Sequence, residues 1–230
     1  MSSLTPQESS WLDLLAELRN SPAIHVYNEY NGPIDDSLGD ASEAMSELAD
    51  DYGVHLDPSF RELYTRFSGI GSSWRTTEEY PFISGEFHIA SIQLEIEQAP
   101  PKLGWTESPI DDPDLEYELR TIDGTPDSGV GTLAAVRIQP GPGTVNPEIW
   151  FDHGSRGVWK LDLDYRGYME ALRVTKGTFG WQYLFTDVRL RGDDFGGIGE
   201  RLSNMLNVFP DLFPDYDYKP LRRRLAARLR

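Results

Sequence analysis

The side chains in this sequence that could do chemistry are mainly carboxylates. Its 230 residues include 38 aspartates and glutamates, no cysteine, and four histidines (His25, His55, His88 and His153) in unrelated contexts. The lack of cysteine excludes disulfides, thiolate metal sites and cysteine nucleophiles. A serine nucleophile lacks its usual G-x-S-x-G signature. Two uses are left for the carboxylates, namely acid–base catalysis by a buried pair and electrostatic binding of a cationic partner.

One segment begins like a calcium-binding loop. Asp162 and Asp164 occupy its first and third positions, but Arg166 and Arg173 stand at positions 5 and 12, where calcium requires oxygen ligands. We therefore expect Asp164 to cap a helix and Arg166 to pair with an acid. No histidine pair has the spacing of a zinc helix, and no metal site is predicted.

The glycine-containing segment GIGSSW, from residue 69, does not match a phosphate-binding loop. It lacks the third glycine of the dinucleotide fingerprint and follows a predicted helix rather than a strand. Gly69 and Gly71 are instead predicted to end that helix and to form a tight turn. No cofactor is predicted.

The charge balance favours a basic partner. Lysine and arginine total 21, so the formal net charge is −17, which disfavours direct binding of nucleic acid. Nine acids and no base lie between Arg19 and Arg61, and six acids and no base lie between Lys102 and Arg120. These runs could be solvated faces or a docking surface for a cationic protein. The predicted partner-binding residues are Asp35, Asp36, Asp40, Asp111, Asp112, Asp114, Glu116 and Glu118, with Trp105 as an aromatic anchor.

Three short helices are predicted to position the first of these runs. Residues 5–8, TPQE, form a capping box with proline at the first helical position. A second capping signal begins at Asp40, and its helix ends at Gly53. A third helix is predicted from Asp57 to Gly69. The turn-rich segment NEYNGPIDDSLGD is predicted to be a loop.

From Tyr80 onward, short β-rich runs alternate with clusters of glycine, proline and aspartate. They are YPFIS, FHIASIQLEI, LEYELRTI, GTLAAVRIQ, PEIWF and GVWKLDL. These runs predict an α+β fold with a single mixed or antiparallel sheet of about five or six strands flanked by helices. Later helices are predicted over 165–176, ended by Gly177, and over 200–209.

The predicted organisation has three segments. An N-terminal helix and loop occupy 1–39, an α+β core occupies 40–190, and a C-terminal helical extension occupies 191–230. The extension ends in KPLRRRLAARLR, with six bases and no acid, which we expect to fold back on the acidic body or to be mobile. The alternative is a basic amphipathic helix for a membrane or a partner. No stretch approaches a membrane span, and the polar start lacks a signal-peptide profile, so the expected location is the cytoplasm.

Three stretches carry a family resemblance across most of residues 40–190. They are LDPSFRELYTRFSGIGSSW (56–74), FHIASIQLEI (87–96) and PEIWFDHGSRGVWKLDLDYRGYMEALRVTKGTFGWQYLF (147–185). Together they resemble the SMI1/KNR4 family of the SUKH superfamily, through fold-determining apolar and glycine positions. The resemblance implies an α+β fold with one sheet flanked by helices. It also implies the role of most bacterial members, which are cytoplasmic immunity proteins that neutralise toxins, many of them acting on nucleic acids.

Charge and resemblance lead to the expectation of a non-enzymatic, single-domain binding protein. The most direct form is an immunity protein that masks the active site of a cognate toxin or another basic protein. The alternative is a cytoplasmic regulatory or scaffold protein of the same fold. A third hypothesis is a carboxylate-dependent hydrolase, which requires a cleft that holds an acid with a raised pKa.

Overall fold

The computed structural model describes residues 3–104, 112, 114–139, 141, 147–154, 156–192 and 194–230. Within these residues, the helices are α1 (Pro6–Asn20), α2 (Ala41–Tyr52), α3 (Pro58–Glu62), α4 (Ile92–Glu97), α5 (Leu115–Glu118), α6 (Tyr165–Thr175), α7 (Gly196–Leu212) and α8 (Lys219–Arg228), with 3₁₀ helices at Asp36–Leu38 and Trp181–Phe185. The strands are β1 (Ile24–Asn31), β2 (Gly69–Thr76), β3 (Ser84–Ala90), β4 (Leu119–Gly124), β5 (Thr132–Arg137), β6 (Ile149–His153) and β7 (Val158–Lys160).

The strands form two antiparallel sheets, with orders β1-β2-β3 and β4-β5-β6-β7. The α+β class is therefore confirmed, and the prediction of a single sheet was wrong. The two sheets meet where β3 lies beside β4. At this seam the backbone N–H of His88 donates to the Asp123 carboxylate at 2.9 Å. The Asp123 side chain thus accepts a hydrogen bond that a backbone carbonyl would accept in a continuous sheet. The apolar and polar pattern of a strand does not reveal such a substitution.

The first sheet contains the largest departures from the predicted elements. β1 covers part of the predicted loop, and Gly69 and Gly71 lie inside β2 rather than at a helix end, because α3 ends at Glu62. A Cβ at Gly71 would lie 2.3 Å from the Phe87 carbonyl oxygen on β3. Glycine is therefore required there for close approach of two strands, not for a turn.

The capping signals located helices correctly. Thr5 and Glu8 form the predicted capping box of α1, and Asp40 forms one at α2. Asp164 caps α6 by accepting a hydrogen bond from the Gly167 backbone N–H at 2.7 Å. The run FHIASIQLEI, in contrast, divides into β3 and α4.

Both terminal regions contribute to one hydrophobic core with the sheets. Trp11 of α1 contacts Phe87 of β3, with ring centroids 6.2 Å apart. Trp74 of β2 contacts Phe209 of α7 at 5.9 Å. All four side chains are buried and belong to the same cluster, so burial of α1 and α7 stabilises the sheets directly.

The basic C-terminal segment forms α8 and folds back on the body, as expected. Leu221 and Leu225 are buried. Arg224 lies over the Phe185 ring, 4.4 Å from its centroid, and contacts Asp162 at 3.2 Å. None of the helices in the described ranges is long and apolar enough to cross a bilayer.

Candidate functional site

The three predicted binding residues of the first acidic run are used by the fold itself. Asp35 accepts a hydrogen bond from the Ser37 backbone N–H at 2.9 Å and caps a 3₁₀ helix. Asp40 caps α2 through the backbone N–H groups of Ser42 and Glu43. Asp36 pairs with Arg66 at 3.3 Å. Hydrogen bonds to these caps lower the pKa values of Asp35 and Asp40, which supports a structural role.

The second acidic run is partly neutralised by an arginine that sequence reasoning missed. Arg137 of β5 pairs with Asp112 at 2.7 Å and with Glu118 at 2.5 Å. Asp114 and Glu116, in contrast, are exposed. Trp105 and Asp111, the other two predicted residues of this region, lie outside the described residues.

A better exposed set of carboxylates lies on α2. Glu43, Glu47, Asp50 and Asp51 are all exposed, while Ala44 and Leu48 on the adjoining side of the helix are buried. Spacings of four, seven and eight residues place these acids on one side of a helix. The sequence contained this signal, because the four acids and the apolar residues between them already have helical periodicity.

Tertiary contacts link this part of α2 to α5 through α4. The Tyr52 hydroxyl, at the end of α2, donates to Glu97 of α4 at 3.3 Å. Arg120 then donates to the carbonyl oxygen of Ile96 in α4 and to that of Tyr117 in α5, at 3.4 and 3.0 Å. Two acidic runs that are far apart in sequence therefore occupy adjoining surface. We call this surface the acidic face: Glu47, Asp50, Asp51, Tyr52, Glu97, Asp114, Glu116 and Tyr117.

The acidic face exposes two aromatic side chains. Tyr52 is 41% exposed and Tyr117 is 72% exposed. Partial burial raises the pKa of Tyr52, and the nearby carboxylates of Glu97, Asp51 and Glu47 raise it further. Exposed tyrosines are over-represented at protein–protein interfaces because they bury a large area with few rotatable bonds.

A separate cleft of about 500 Å³ lies near the junction of the two sheets and contains buried carboxyl groups. Burial raises the pKa of both Glu95 and Asp152 there, and lowers the pKa of His88. Behind the cleft, burial raises the pKa of Asp123 to about 6. This cleft has the property that the hydrolase hypothesis requires, and that hypothesis stays a prediction.

The described part of the chain brings together no group of three or more histidine, aspartate or glutamate side chains that could hold a metal ion. Comparison with protein-family models, with curated proteins and with solved structures finds no match.

Proposed function

We propose that this protein is a non-enzymatic module that binds a cationic protein partner through the acidic face. The observation that supports the proposal is the adjoining position of two acidic runs, with six carboxylates and two exposed tyrosines on one surface. Asp50 and Asp51 make no ion pair or hydrogen bond with another side chain among the described residues. Their charges are therefore available to a partner.

The charges and the rings have different roles in this proposal. Exposed carboxylates steer a basic partner during encounter, so they raise the association rate and make it dependent on salt. Tyr52 and Tyr117 supply the apolar area that holds the complex after the encounter, which slows dissociation. The net charge of −17 extends the same attraction over the whole molecule.

The resemblance to SMI1/KNR4 proteins makes the partner more specific. A toxin that acts on nucleic acid presents a basic substrate surface, and an acidic protein seated on that surface excludes the substrate. We therefore propose an immunity protein that masks the active site of such a toxin in the cytoplasm. A regulatory or scaffold protein would use the same face on a different basic partner.

The test is affinity capture of the tagged protein from its producing cells, followed by mass spectrometry and a salt titration. The informative variant is E47Q/D50N/D51N. The control E78Q/E79Q/D211N changes the net charge by the same amount at exposed acids, two of them in the turn between β2 and β3, at the other end of that sheet from α4. We expect one basic partner whose association slows about tenfold in the first variant and little in the control.

Expression of the captured partner then separates the two forms of the proposal. An immunity protein rescues cells from a toxic partner, and E47Q/D50N/D51N rescues them less well than the control. A partner that is not toxic favours the regulatory form. Equal, salt-independent association by both variants would contradict the role of the acidic face.

A further inference from the structure

A groove of about 980 Å³ runs along the outer side of β7. β7 is the last strand of its sheet, and no other strand in the described residues pairs with its outer edge. The far wall is formed by Phe185, Thr186 and Asp187, where the Asp162 backbone N–H donates to the Phe185 carbonyl at 2.8 Å.

The backbone of β7 presents unpaired groups to this groove. Leu161 N–H donates to Ile149, and His153 N–H donates to Gly157, at 2.8 and 3.0 Å. Hydrogen-bonded and non-hydrogen-bonded residue pairs alternate along an antiparallel ladder. Trp159 therefore points its backbone N–H and C=O groups toward β6, whereas Val158 and Lys160 point theirs outward. An extended segment can therefore add to β7 as a further strand.

Aromatic side chains line the groove. Trp150 and Trp159 are half-buried and line it together with Val158, Leu163 and Phe185. Trp159 is held by ring contacts to Tyr183 at 5.2 Å and to Phe151 at 6.2 Å. A rigid, partly exposed indole attracts apolar side chains and, over its face, the cationic ends of lysine and arginine.

The charges that line the groove are mostly negative. Four carboxylates, from Glu148, Asp162, Asp164 and Asp187, face two bases, Lys160 and Arg228. Glu148 pairs with Lys160 and Arg137, and Asp164 caps α6. The Asp162 side chain is 81% exposed and accepts hydrogen bonds from both terminal nitrogens of Arg224 at 3.2 Å. Asp187 makes no ion pair or hydrogen bond among the described residues. The four lining carboxylates outnumber the two lining bases, and Asp187 is the one that the fold does not use, so charge favours a basic occupant.

We infer that this groove binds an extended, lysine- or arginine-bearing segment of the partner protein as a strand beside β7. The inference rests on the proposed function and adds a second contact to it. Side chains of a strand alternate between its two sides. A segment with bases at every second position therefore directs them all to one face of the sheet, that of Trp159 or that of Trp150, which lie on opposite faces because Trp159 pairs with Phe151 and Trp150 with Lys160.

The probe is the blocked peptide Ac-Lys-Val-Arg-Val-Lys-Val-Arg-amide, titrated into the full-length protein by calorimetry. We expect D162N/D187N to weaken its binding roughly three- to tenfold, as the loss of two exposed charge pairs implies. The charge-matched E78Q/E79Q variant should bind like the wild type. Trp159→Phe, which keeps a ring in place, should also weaken binding, by about threefold, since indole is the stronger partner for a cation.

Two N-methylated versions of the peptide test strand addition directly. Methyl groups on alternate residues block either the N–H groups that would face β7 or those that would face away. One isomer should lose binding at least about fivefold, as the loss of backbone hydrogen bonds implies, and the other should keep it. Equal loss or equal retention in both isomers would refute strand addition.

The remaining outcomes separate the groove from the acidic face. Equal weakening by D162N/D187N and E78Q/E79Q would mean non-specific charge attraction and would overturn the inference. Dimers of the protein that dissociate in D162N/D187N would also overturn it, because the occupant would then be a second copy. If the peptide does not bind while E47Q/D50N/D51N still loses the captured partner, the groove inference fails and the proposed function stands. If, instead, E47Q/D50N/D51N captures the partner as well as the wild type does, the proposed function fails.

Discussion

Replacing Glu8 with glutamine should destabilise the fold by about 3 kcal/mol, because it breaks a buried ion pair. Glu8 is fully buried and accepts hydrogen bonds from Arg66 Nε at 2.8 Å and Nη2 at 2.7 Å. It also accepts from the backbone N–H groups of Arg66 and Thr5. Glutamine keeps the shape, but it directs an N–H₂ group at one of these donors. The value is at the low end of the range because Arg66 keeps its contacts to Asp36 and to the Ser3 carbonyl.

The pKa of Glu8 gives a second value for the contribution of this ion pair to the free energy of unfolding. Burial alone would raise the pKa of Glu8, but the hydrogen bonds from Arg66 and Thr5 outweigh it and lower the pKa from 4.5 to about 2. The full shift corresponds to about 3 kcal/mol, and solvent screening beside the exposed Asp36 reduces this to about 2 kcal/mol. Because the pKa is lower in the folded state, this stability is present above pH 4.5 and is lost as the pH falls toward 2.

The measurement is urea unfolding followed by tryptophan fluorescence, at pH 7 and in steps from pH 5 to pH 2.5. E8Q, R66M and the double variant form a cycle that isolates the coupling between the two side chains. Glu170→Gln, at an exposed glutamate of α6, is the control. E8Q within about 0.5 kcal/mol of the wild type at pH 7, the range of an ordinary surface substitution, would refute the reasoning. An unchanged pH profile in E8Q would also refute it.

Four further predictions use the same unfolding measurement. Gly71→Ala should lower the free energy of unfolding by at least about 2 kcal/mol, because its Cβ meets a carbonyl oxygen at 2.3 Å. Gly197→Ala, in α7 with open space around it, should raise that free energy by about 0.5 kcal/mol, and a loss there would contradict this account. Burial raises the pKa of Asp123 from 3.8 to about 6, so folding favours its proton and the wild type should lose stability as the pH rises through this interval, a loss that Asp123→Asn should abolish. Burial lowers the pKa of Lys176 from 10.5 to about 8. The unfolded chain then holds more protons in this interval, so stability should rise with pH there, and Lys176→Met should remove that rise.

The helix starts could be predicted from sequence because a cap is a local structure. The Asp40 carboxylate bonds to backbone groups two and three residues away, so its residue type and spacing carry the whole signal. Asp164 at the start of α6 is a second example. Neither depends on how the rest of the chain folds.

The sheets could not be predicted in the same way, because their determinants are distant in sequence. β1 is an edge strand in which only Ile24 is buried, so it lacks a clear alternation of apolar and polar residues. Glycine is a residue typical of turns, but at position 71 it is required because the Phe87 carbonyl on the neighbouring strand approaches closely. At the seam between the sheets, the Asp123 carboxylate bonds to a backbone group 35 residues away.

The candidate site was predictable in its charge and only partly in its residues. Sequence shows where acids are concentrated but not which of them the fold occupies, because Arg66 and Arg137 reach their partners through tertiary structure. Asp36 and Glu118 are paired for this reason. Asp114 and Glu116, from the same predicted set, are exposed.

A carboxylate that the fold already uses binds a partner less well than one that the fold leaves free. A carboxylate that already caps a helix or pairs with arginine must give up those hydrogen bonds to meet a partner, and this loss offsets most of the new attraction. Asp40 and Glu118 are therefore poor interface residues, although each is strongly acidic. Asp50 and Asp51 lose only bound water when a basic side chain approaches. The acids that the fold does not need should consequently contribute most to partner binding.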